Sequence, residues 1–331
     1  MAAHFLLSEW TPCRAVLLAW PYRGGDWDDN FEDVEASYWQ MLTAIAAHAQ
    51  AWVLLHPSMD SSHFKSRVDQ LDFAFPVISR SDIIFDSTWI RDYGPLMRND
   101  GPIAFNFNGW GAKYDFDNDD AVALALTDWL GQKPKSIAMI AEGGGLEIND
   151  DQVLLANEEC LIDDNRNLGK DKAAIQDKLR EHLGVKEFAW LSGVCLSGDD
   201  TDGHIDTMAR FSPDSALIYT GRNASHHNAA VLDLLHSQIQ ALCLRWGWAS
   251  HELPTPIVHS NIDGHALPAT YANFLICNNA VLLPIYGCPE DAAAIAIIEK
   301  AFAGRKVIAI NCSALVEQYG SLHCSTMQIP F

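Results

Sequence analysis

The sequence predicts an α/β fold in which one strand–strand–helix–strand unit recurs about five times in a closed radial array. Three observations lead to this prediction: hairpin signatures recur along the chain, helical patterns fall between them, and the 331 residues divide into five units of about 66 residues. An ordinary open α/β sheet is the alternative that this pattern leaves open. Because no low-complexity segment or linker divides the chain, we expect residues 1–331 to form a single domain.

Four segments show two apolar runs separated by a short polar turn, which is the signature of a β-hairpin. Their turns lie near Asn99, Asn149, Pro213 and Asn278, so successive turns are 50, 64 and 65 residues apart. Spacing of this kind favours one repeated unit over an irregular series of strands.

Helical patterns occupy the intervals between the hairpins. The predicted helices cover residues 31–49, 119–130, 170–183, 225–246 and 289–303. The last of them begins with a proline followed by two acidic residues and is succeeded by a glycine, which are ordinary start and stop signals. Short apolar segments such as "AWVLLH" and "KVIAIN" are predicted to supply the third strand of a unit.

Unusual polar residues recur at one position of the unit. Asp92 and Glu142 each lie seven residues before the asparagine of a hairpin turn. Asp206 lies seven residues before Pro213, and His204 lies two residues earlier still. Each residue would stand where the first strand of its hairpin begins. In a radial array, these side chains would therefore converge on the axis.

The local pattern around each of these residues adds a further expectation. Alternation through "HIDTMARF" predicts a strand that presents His204, Asp206 and Met208 on one face. "AEGGGLEIND" places Glu142 before three glycines, where another group can approach the backbone closely. Taken singly, these motifs are equally consistent with a hydrogen-bonded core histidine, a loop or a surface ion pair.

The closing segment "GSLHCSTMQIPF" contains a histidine and a cysteine side by side. On an extended strand His323 and Cys324 would point to opposite faces. A distant histidine would then have to serve a nucleophilic Cys324, and His204 is the candidate. A buried, inert thiol is the competing interpretation.

A thiol, a histidine and three carboxylates suit a guanidinium group better than a carbonyl group. Carboxylates would repel the negative charge that develops on a carbonyl oxygen. A guanidinium group is instead planar and cationic, and its N–H donors match carboxylate oxygens. The sequence therefore predicts a small cationic guanidine as the partner of this site.

The segments "TWIRDYGP", "EGG", "GHID" and "HCSTMQIP", in this order, resemble the agmatine deiminase family, also described as the bacterial peptidylarginine deiminase-like family, within the guanidino-group-modifying superfamily. "NFNGWG" and "NRN" are similar to further parts of that family. The resemblance implies a five-bladed, pseudo-symmetric, pentein-like α/β propeller built from ββαβ units. It also implies hydrolysis of a guanidine to a ureido group and ammonia, without a metal or an organic cofactor.

The resemblance further implies a role for each matching residue. Cys324 would be the nucleophile, and His204 would act first as an acid and then as a base. Asp92 and Asp206 would hold the guanidinium nitrogens, while Glu142 would orient His204 and contact the substrate.

Trp89 and Trp110 resemble the aromatic walls of the family's substrate slot, where a ring face favours a cation. The chain departs from the family where it reads "YGSLHC" in place of a run of glycines. The group attached to the guanidine therefore stays open. Agmatine, with N-carbamoylputrescine as product, is the favoured substrate, and free arginine or peptidyl arginine is the alternative.

A hypothesis of another class is a metal-dependent enzyme in which His204 and Asp206 are ligands. It leaves Asp92, Glu142 and Cys324 without a role. The net charge of −21 argues against a nucleic-acid partner, and no segment is long and apolar enough to predict a membrane span. With no secretion signal apparent, we expect a cytoplasmic protein; a homo-oligomer is left open.

Overall fold

The computed structural model describes residues 4–331 as a succession of short strands and helices. The strands are β1 (Cys13–Ala19), β2 (Gln50–Leu54), β3 (Val77–Arg80), β4 (Leu96–Arg98), β5 (Gly101–Asn106), β6 (Lys135–Ile140), β7 (Glu147–Ile148), β8 (Val153–Asn157), β9 (Glu187–Leu191), β10 (Ala209–Ser212), β11 (Ala216–Thr220), β12 (Ala249–Leu253), β13 (Val258–His259), β14 (Ala266–Leu267), β15 (Leu275–Cys277), β16 (Ala280–Ile285), β17 (Lys306–Asn311) and β18 (Met327–Pro330). The helices are α1 (Phe31–Ala46), α2 (Ser62–Gln70), α3 (Ile90–Tyr93), α4 (Gly109–Ala112), α5 (Asp117–Ala125), α6 (Thr127–Leu130), α7 (Glu158–Leu161), α8 (Asp164–Asn167), α9 (Lys172–Leu183), α10 (Ala229–Trp246) and α11 (Asp291–Ala301).

Five sheets within residues 4–331 share one topology. In each, an antiparallel pair of strands is followed, after at least one helix, by a third strand that runs parallel to the second. The five sheets are β4–β5–β6, β7–β8–β9, β10–β11–β12, β15–β16–β17 and β18–β1–β2, the last extended by β3. The predicted α/β class and the predicted strand–strand–helix–strand unit are therefore confirmed, and all four predicted hairpins form.

The boundaries of several helices differ from the prediction. The pattern over residues 119–130 forms two helices, α5 and α6, because the backbone leaves helical geometry at Leu126. Helix α1 ends three residues early, at Ala46, and α10 begins at Ala229 rather than at residue 225. Apolar periodicity locates the buried face of a helix well but says little about its last turn.

Helix α9 shows how the local sequence sets these elements. The side chain of Asp171 accepts a hydrogen bond from the backbone N–H of Ala174, 2.9 Å away, and caps the first turn. Gly184 ends the helix at φ 67°, a left-handed conformation that favours glycine. The buried face is formed by Ile175, Leu179 and Leu183. This four-residue spacing places all three side chains on one stripe, which packs against the sheet.

The last strand completes the sheet that contains the first strand. β18 pairs antiparallel with β1, and Met327–Pro330 are all buried. The closing segment therefore supplies one edge of this sheet. No helix in the described part of the chain combines the length and apolar character needed to cross a bilayer.

Replacing Ile329 with alanine should destabilise the protein strongly. The Ile329 side chain is fully buried, so its truncation leaves a cavity and should lower the free energy of unfolding by about 2–5 kcal/mol. Urea denaturation followed by circular dichroism measures this change. Phe331→Ala is the matched control, since Phe331 is 88% exposed and its loss should leave stability almost unchanged. Equal stability of the two variants would contradict the role assigned to β18.

Candidate active site

Short turns that precede the first strand of each unit carry the candidate residues. Asp92 lies in α3, and Glu142 precedes a 3₁₀ turn at Gly143–Gly145. Another 3₁₀ turn, at Ile205–Thr207, contains Asp206 and follows His204. The remaining two segments, before β15 and β18, carry Asn273 and Cys324. The predicted common position in the repeat is therefore confirmed for the residues that the sequence singled out.

The expectation that "HIDTMARF" forms a strand throughout is wrong. β10 begins only at Ala209, and the preceding residues turn. Gly203 adopts φ 93°, and the hydroxyl of Thr207 donates to the carbonyl of His204 at 2.8 Å, which stabilises the turn. His204 and Asp206 are therefore brought together by a turn rather than by the alternation of a strand.

Three of the predicted side chains meet around Gly144. A Cβ atom built on this glycine would lie 2.6 Å from Nδ1 of His204, 2.8 Å from Oδ1 of Asp92 and 3.1 Å from Oδ2 of Asp206. The backbone N–H of Gly144 also donates to Oδ1 of Asp92 at 3.0 Å. Only a residue without a side chain allows this approach, as the three glycines after Glu142 predicted.

Cys324 lies beside this cluster in a turn before β18. Its Sγ is 3.6 Å from Oδ2 of Asp206 and accepts a hydrogen bond from Nδ2 of Asn273 at 3.2 Å. The thiol is 6% exposed. Burial, together with the charges of Asp206 and Asp92, raises the pKa of the Cys324 thiol well above its usual value. The thiol is consequently protonated at neutral pH when the site holds no cation.

The sequence predicted that His323 would point away from the site. The structure shows that His323 contacts the site. The error arises because residues 322–325 form a turn and not an extended strand. Nδ1 of His323 lies 2.7 Å from Oδ2 of Asp206, the same oxygen that approaches Cys324. Hydrogen bonding to His323, together with nearby positive charge, outweighs burial and lowers the pKa of Asp206.

His204 is fully buried, and within residues 4–331 neither ring nitrogen has a hydrogen-bond partner. Its nearest carboxylate oxygens are Oδ1 of Asp92, 3.5 Å from Nδ1, and Oε2 of Glu142, 3.9 Å from Nε2. Burial opposes the charged form, but Asp92, Cys160 and Glu142 outweigh it and raise the pKa of His204 well above its usual value. The imidazole is therefore a proton donor with a free nitrogen.

Glu142 is fully buried and is neutralised by an arginine. Nε of Arg166 donates to Oε1 of Glu142 at 2.7 Å, and Nη1 of Arg166 pairs with Asp202 at 2.8 Å. Arg166 is the arginine of the "NRN" segment. Sequence reasoning associated that segment with the family but did not identify it as the partner of Glu142.

Asp92 accepts hydrogen bonds from two neutral donors and also faces His204. The backbone N–H of Gly144 donates to its Oδ1 and Nε1 of Trp110 donates to its Oδ2, each at 3.0 Å, while Nδ1 of His204 lies 3.5 Å from Oδ1. Burial raises the pKa of Asp92, and His204 opposes that rise. Trp110 is thus brought to the site, whereas Trp89 packs edge-on against Trp27, with ring centroids 5.5 Å apart. A wall of the substrate slot remains a prediction for both tryptophans.

One group of three potential metal ligands occurs in the described part of the chain. It consists of Glu142, Cys160 and His204, whose ligand atoms lie within 4.8 Å of one another. This group does not contain Asp206, which the metal hypothesis paired with His204. Arg166 already neutralises Glu142, and a cation at that position disfavours a second one nearby. The arrangement therefore favours acid–base chemistry at His204.

Comparison with known sequences identifies the family. The profile of the Porphyromonas-type peptidyl-arginine deiminases matches residues 5–330. The chain belongs to this deiminase family. A relative from Vibrio parahaemolyticus, named "Putative agmatine deiminase", is 30% identical over 352 residues, covering 98% of this chain and 96% of the relative. Membership of the deiminase family implies a hydrolase that acts on C–N bonds.

Comparison of this structure with solved structures gives relatives from the same family. A structure of C. jejuni agmatine deiminase, a cysteine-to-serine variant with substrate bound, matches with a TM-score of 0.89 and 28% identity, covering 99% of this chain and 97% of that one. A dimethylarginine dimethylaminohydrolase matches with a TM-score of 0.58 at 12% identity, covering 96% of this chain and 99% of that one, which shows a shared fold. The α/β fold is therefore that of the pentein superfamily.

Replacing Gly144 with alanine should abolish most deiminase activity without unfolding the protein. The added methyl group would displace His204, Asp92 and Asp206, and displacement of reacting groups by about 1 Å can cost about 100-fold in rate. Ammonia release measures the change, and circular dichroism verifies folding. Gly145→Ala is the control, because its nearest neighbour would be Sγ of Cys160 at 3.3 Å. Equal activities of the two variants would contradict the convergence on Gly144.

Proposed function

We propose that this deiminase hydrolyses the guanidinium group of agmatine to N-carbamoylputrescine and ammonia through a covalent intermediate on Cys324. The observation that carries the proposal is a buried thiol beside Asp206, which in turn shares the space around Gly144 with Asp92 and His204. A nucleophile, a proton donor and two carboxylates then surround one position.

The charge of the cluster favours a cationic, multi-donor ligand. Asp92 accepts hydrogen bonds from two neutral donors and lies 3.5 Å from Nδ1 of His204, and Oδ1 of Asp206 has no hydrogen-bond partner among the described residues. An incompletely paired carboxylate in the interior is costly. A guanidinium group would supply both the positive charge and the planar N–H donors that these oxygens lack.

Formation of the covalent intermediate begins with the thiol. The bound cation offsets the neighbouring carboxylates and lowers the pKa of Cys324, so the thiol loses its proton to solvent. The thiolate attacks the central guanidinium carbon and a C–S bond forms. His204 then donates its proton to one amino group, which leaves as ammonia when the C–N bond breaks. A positively charged S-alkylthiouronium remains on Cys324.

Hydrolysis of this intermediate reverses the role of His204. The now neutral imidazole takes a proton from water, and the water oxygen bonds to the thiouronium carbon. Collapse of the adduct breaks the C–S bond and expels the Cys324 thiolate. The hydroxyl proton leaves to solvent and a ureido group is formed. Asp92 and Asp206 hold the nitrogens throughout, and Glu142 restrains His204 from the Nε2 side.

The pairing of the buried arginines favours agmatine over arginine. An arginine substrate needs a cationic group for its α-carboxylate. Arg91 pairs with Glu9 at 3.2 Å, Arg166 pairs with Glu142, and Arg210 pairs with Glu147 at 2.6 Å. These three arginines are neutralised within the protein. The names of the V. parahaemolyticus and C. jejuni relatives also refer to agmatine.

We also infer that the five units are the blades of a single-domain propeller. A ring of contacts between successive turns supports this arrangement. Gly144 contacts both Asp92 and His204, the backbone carbonyl of Asp206 accepts from Asn273 at 3.5 Å, and Asn273 contacts Cys324. The backbone N–H of Arg91 donates to the carbonyl of Cys324 at 3.1 Å, which closes the ring. We further propose that the protein is cytoplasmic and that the reaction uses no cofactor.

Cys324→Ala should abolish ammonia release from agmatine, because the covalent step requires the thiol. The control is Cys195→Ala, since Cys195 is an exposed cysteine that the mechanism does not use.

The wild-type protein should turn over agmatine at least about 10-fold faster, by kcat/KM, than free arginine, as expected when the α-carboxylate of arginine is left unpaired. A blocked arginine peptide, which has no free carboxylate, tests the other alternative substrate. Activity of the Cys324 variant would refute the mechanism, and a preference for either arginine substrate would refute the assignment to agmatine.

Alkylation of Cys324 by iodoacetamide should be slow at neutral pH in the absence of substrate. Its pKa is raised, so the reactive thiolate fraction, and with it the alkylation rate, should rise by about tenfold per pH unit through neutral pH. Inactivation rates in the Cys195→Ala background, between pH 7 and 9, measure this dependence. A rate that levels off below pH 8 would show that the thiol is acidic and contradict substrate-assisted ionisation.

A further inference from the structure

The ring of His323 lies between two carboxylates. Nδ1 is 2.7 Å from Oδ2 of Asp206, and Nε2 is 2.8 Å from Oε1 of Glu9. His323 and Asp206 are each 1% exposed, and the Glu9 side chain is 14% exposed. The chemistry proposed above gives neither Glu9 nor His323 a role.

Both ring nitrogens of His323 lie within hydrogen-bond distance of a carboxylate oxygen, and Nδ1 is the nitrogen that faces Asp206. A ring nitrogen that carries a hydrogen donates to such an oxygen, whereas a bare nitrogen would direct a lone pair at it. Burial raises the pKa of Asp206, but the hydrogen bond to His323 and nearby positive charge outweigh burial and lower that pKa. This arrangement makes Nδ1 of His323 the donor of a hydrogen bond to the Asp206 carboxylate.

Glu9 is itself held from several directions. Arg91 donates to Oε1 at 3.2 Å, Gln328 donates to Oε2 at 3.0 Å, and Arg210 forms an ion pair with the same oxygen. These donors hold the Glu9 carboxylate in place, with its Oε1 beside Nε2 of His323. The chain of contacts thus runs from the first residues of the structure to Asp206.

We propose that His323, held by Glu9, is a positioning residue that donates a hydrogen bond to Asp206 and orients it for guanidinium binding. The inference rests on the function proposed above. The hydrogen bond from His323 fixes Oδ2 of Asp206 beside Cys324 and Gly144, while Oδ1 stays unpartnered within residues 4–331. Asp206 is therefore presented as a carboxylate with one oxygen anchored and one oxygen available.

Two substitutions at His323 separate the two hydrogen bonds. The amide of asparagine reaches about as far as Nδ1, so His323→Asn retains a donor for Asp206. The longer glutamine reaches about as far as Nε2, so His323→Gln retains a donor for Glu9 and leaves Asp206 without one. Both variants remove the imidazole ring and both introduce a polar amide, so general effects on the fold are matched.

Agmatine binding, measured by calorimetry on the Cys324→Ser protein without turnover, tests the proposal. His323→Gln should weaken agmatine binding by about 10- to 100-fold, the usual worth of a hydrogen bond to a charged group. His323→Asn should rescue most of this loss. Glu147→Gln is the control for disturbing buried ion pairs, because Glu147 bonds to Arg210 and to the backbone of Phe211.

Three outcomes would overturn the inference. Equal agmatine affinities for the His323→Gln and His323→Asn proteins would show that the donor to Asp206 is unimportant. If Glu147→Gln weakened agmatine binding as much as His323→Gln, the effect of His323→Gln would be a general result of disturbing buried polar contacts, and His323 would have no positioning role. Failure of the Cys324→Ser protein itself to bind agmatine would overturn the proposed function and the inference together, which distinguishes the two cases.

A measurement on the wild-type protein keeps the test independent of variant folding. In ¹⁵N-histidine-labelled protein, Nδ1 of His323 should carry a hydrogen, because it donates to Asp206. A His323 ring without a hydrogen on Nδ1 would contradict this hydrogen bond and overturn the proposal.

Discussion

Burying carboxyl groups at the centre of the molecule constrains the rest of the fold. Asp92, Glu142 and Asp206 are at most 5% exposed, and an ion removed from water costs several kcal/mol unless donors surround it. Each carboxylate is matched differently. The guanidinium group of Arg166 donates to Glu142, and the ring of His323 forms a hydrogen bond with Asp206. Asp92 accepts hydrogen bonds from a backbone amide and an indole, and it lies 3.5 Å from His204. The incomplete matching of Asp92 and Asp206 is what makes the centre receptive to a cationic ligand.

These matching groups also connect distant parts of the chain. Glu9 precedes the first strand, yet it pairs with Arg91, Arg210 and His323, which belong to three different units. A packed apolar core tolerates many substitutions of similar volume, whereas a buried ion pair fixes both partners. Apolar contacts also cross between units, since one buried cluster contains Leu17 of β1 and Leu282 of β16. The ion pairs of Glu9 add links between units that fix specific partners.

The repeat and the residues at its special position could be predicted because both are local features. A hairpin turn, and an acidic residue seven positions before it, are visible within ten residues of sequence. Asn273 escaped notice because an amide is not titratable, although it occupies the corresponding position, two residues before β15. Glu9 and Arg166 could not be found in this way, since their partners lie far along the chain. The turn at Ile205–Thr207 was mistaken for a strand because three alternating residues fit either structure.

The glycine run that is typical of the family is largely missing before Cys324, and the structure explains why one glycine is sufficient. A Cβ atom on Gly320 would lie 2.5 Å from the ring of Trp89, so a side chain at this position would displace the tryptophan. The preceding Tyr319 already adopts φ 67° and tolerates a conformation that glycine would adopt more easily. Close packing against Trp89 therefore demands glycine at Gly320 alone. The segment that carries Cys324 can lose the other glycines while its contact with Trp89 is preserved.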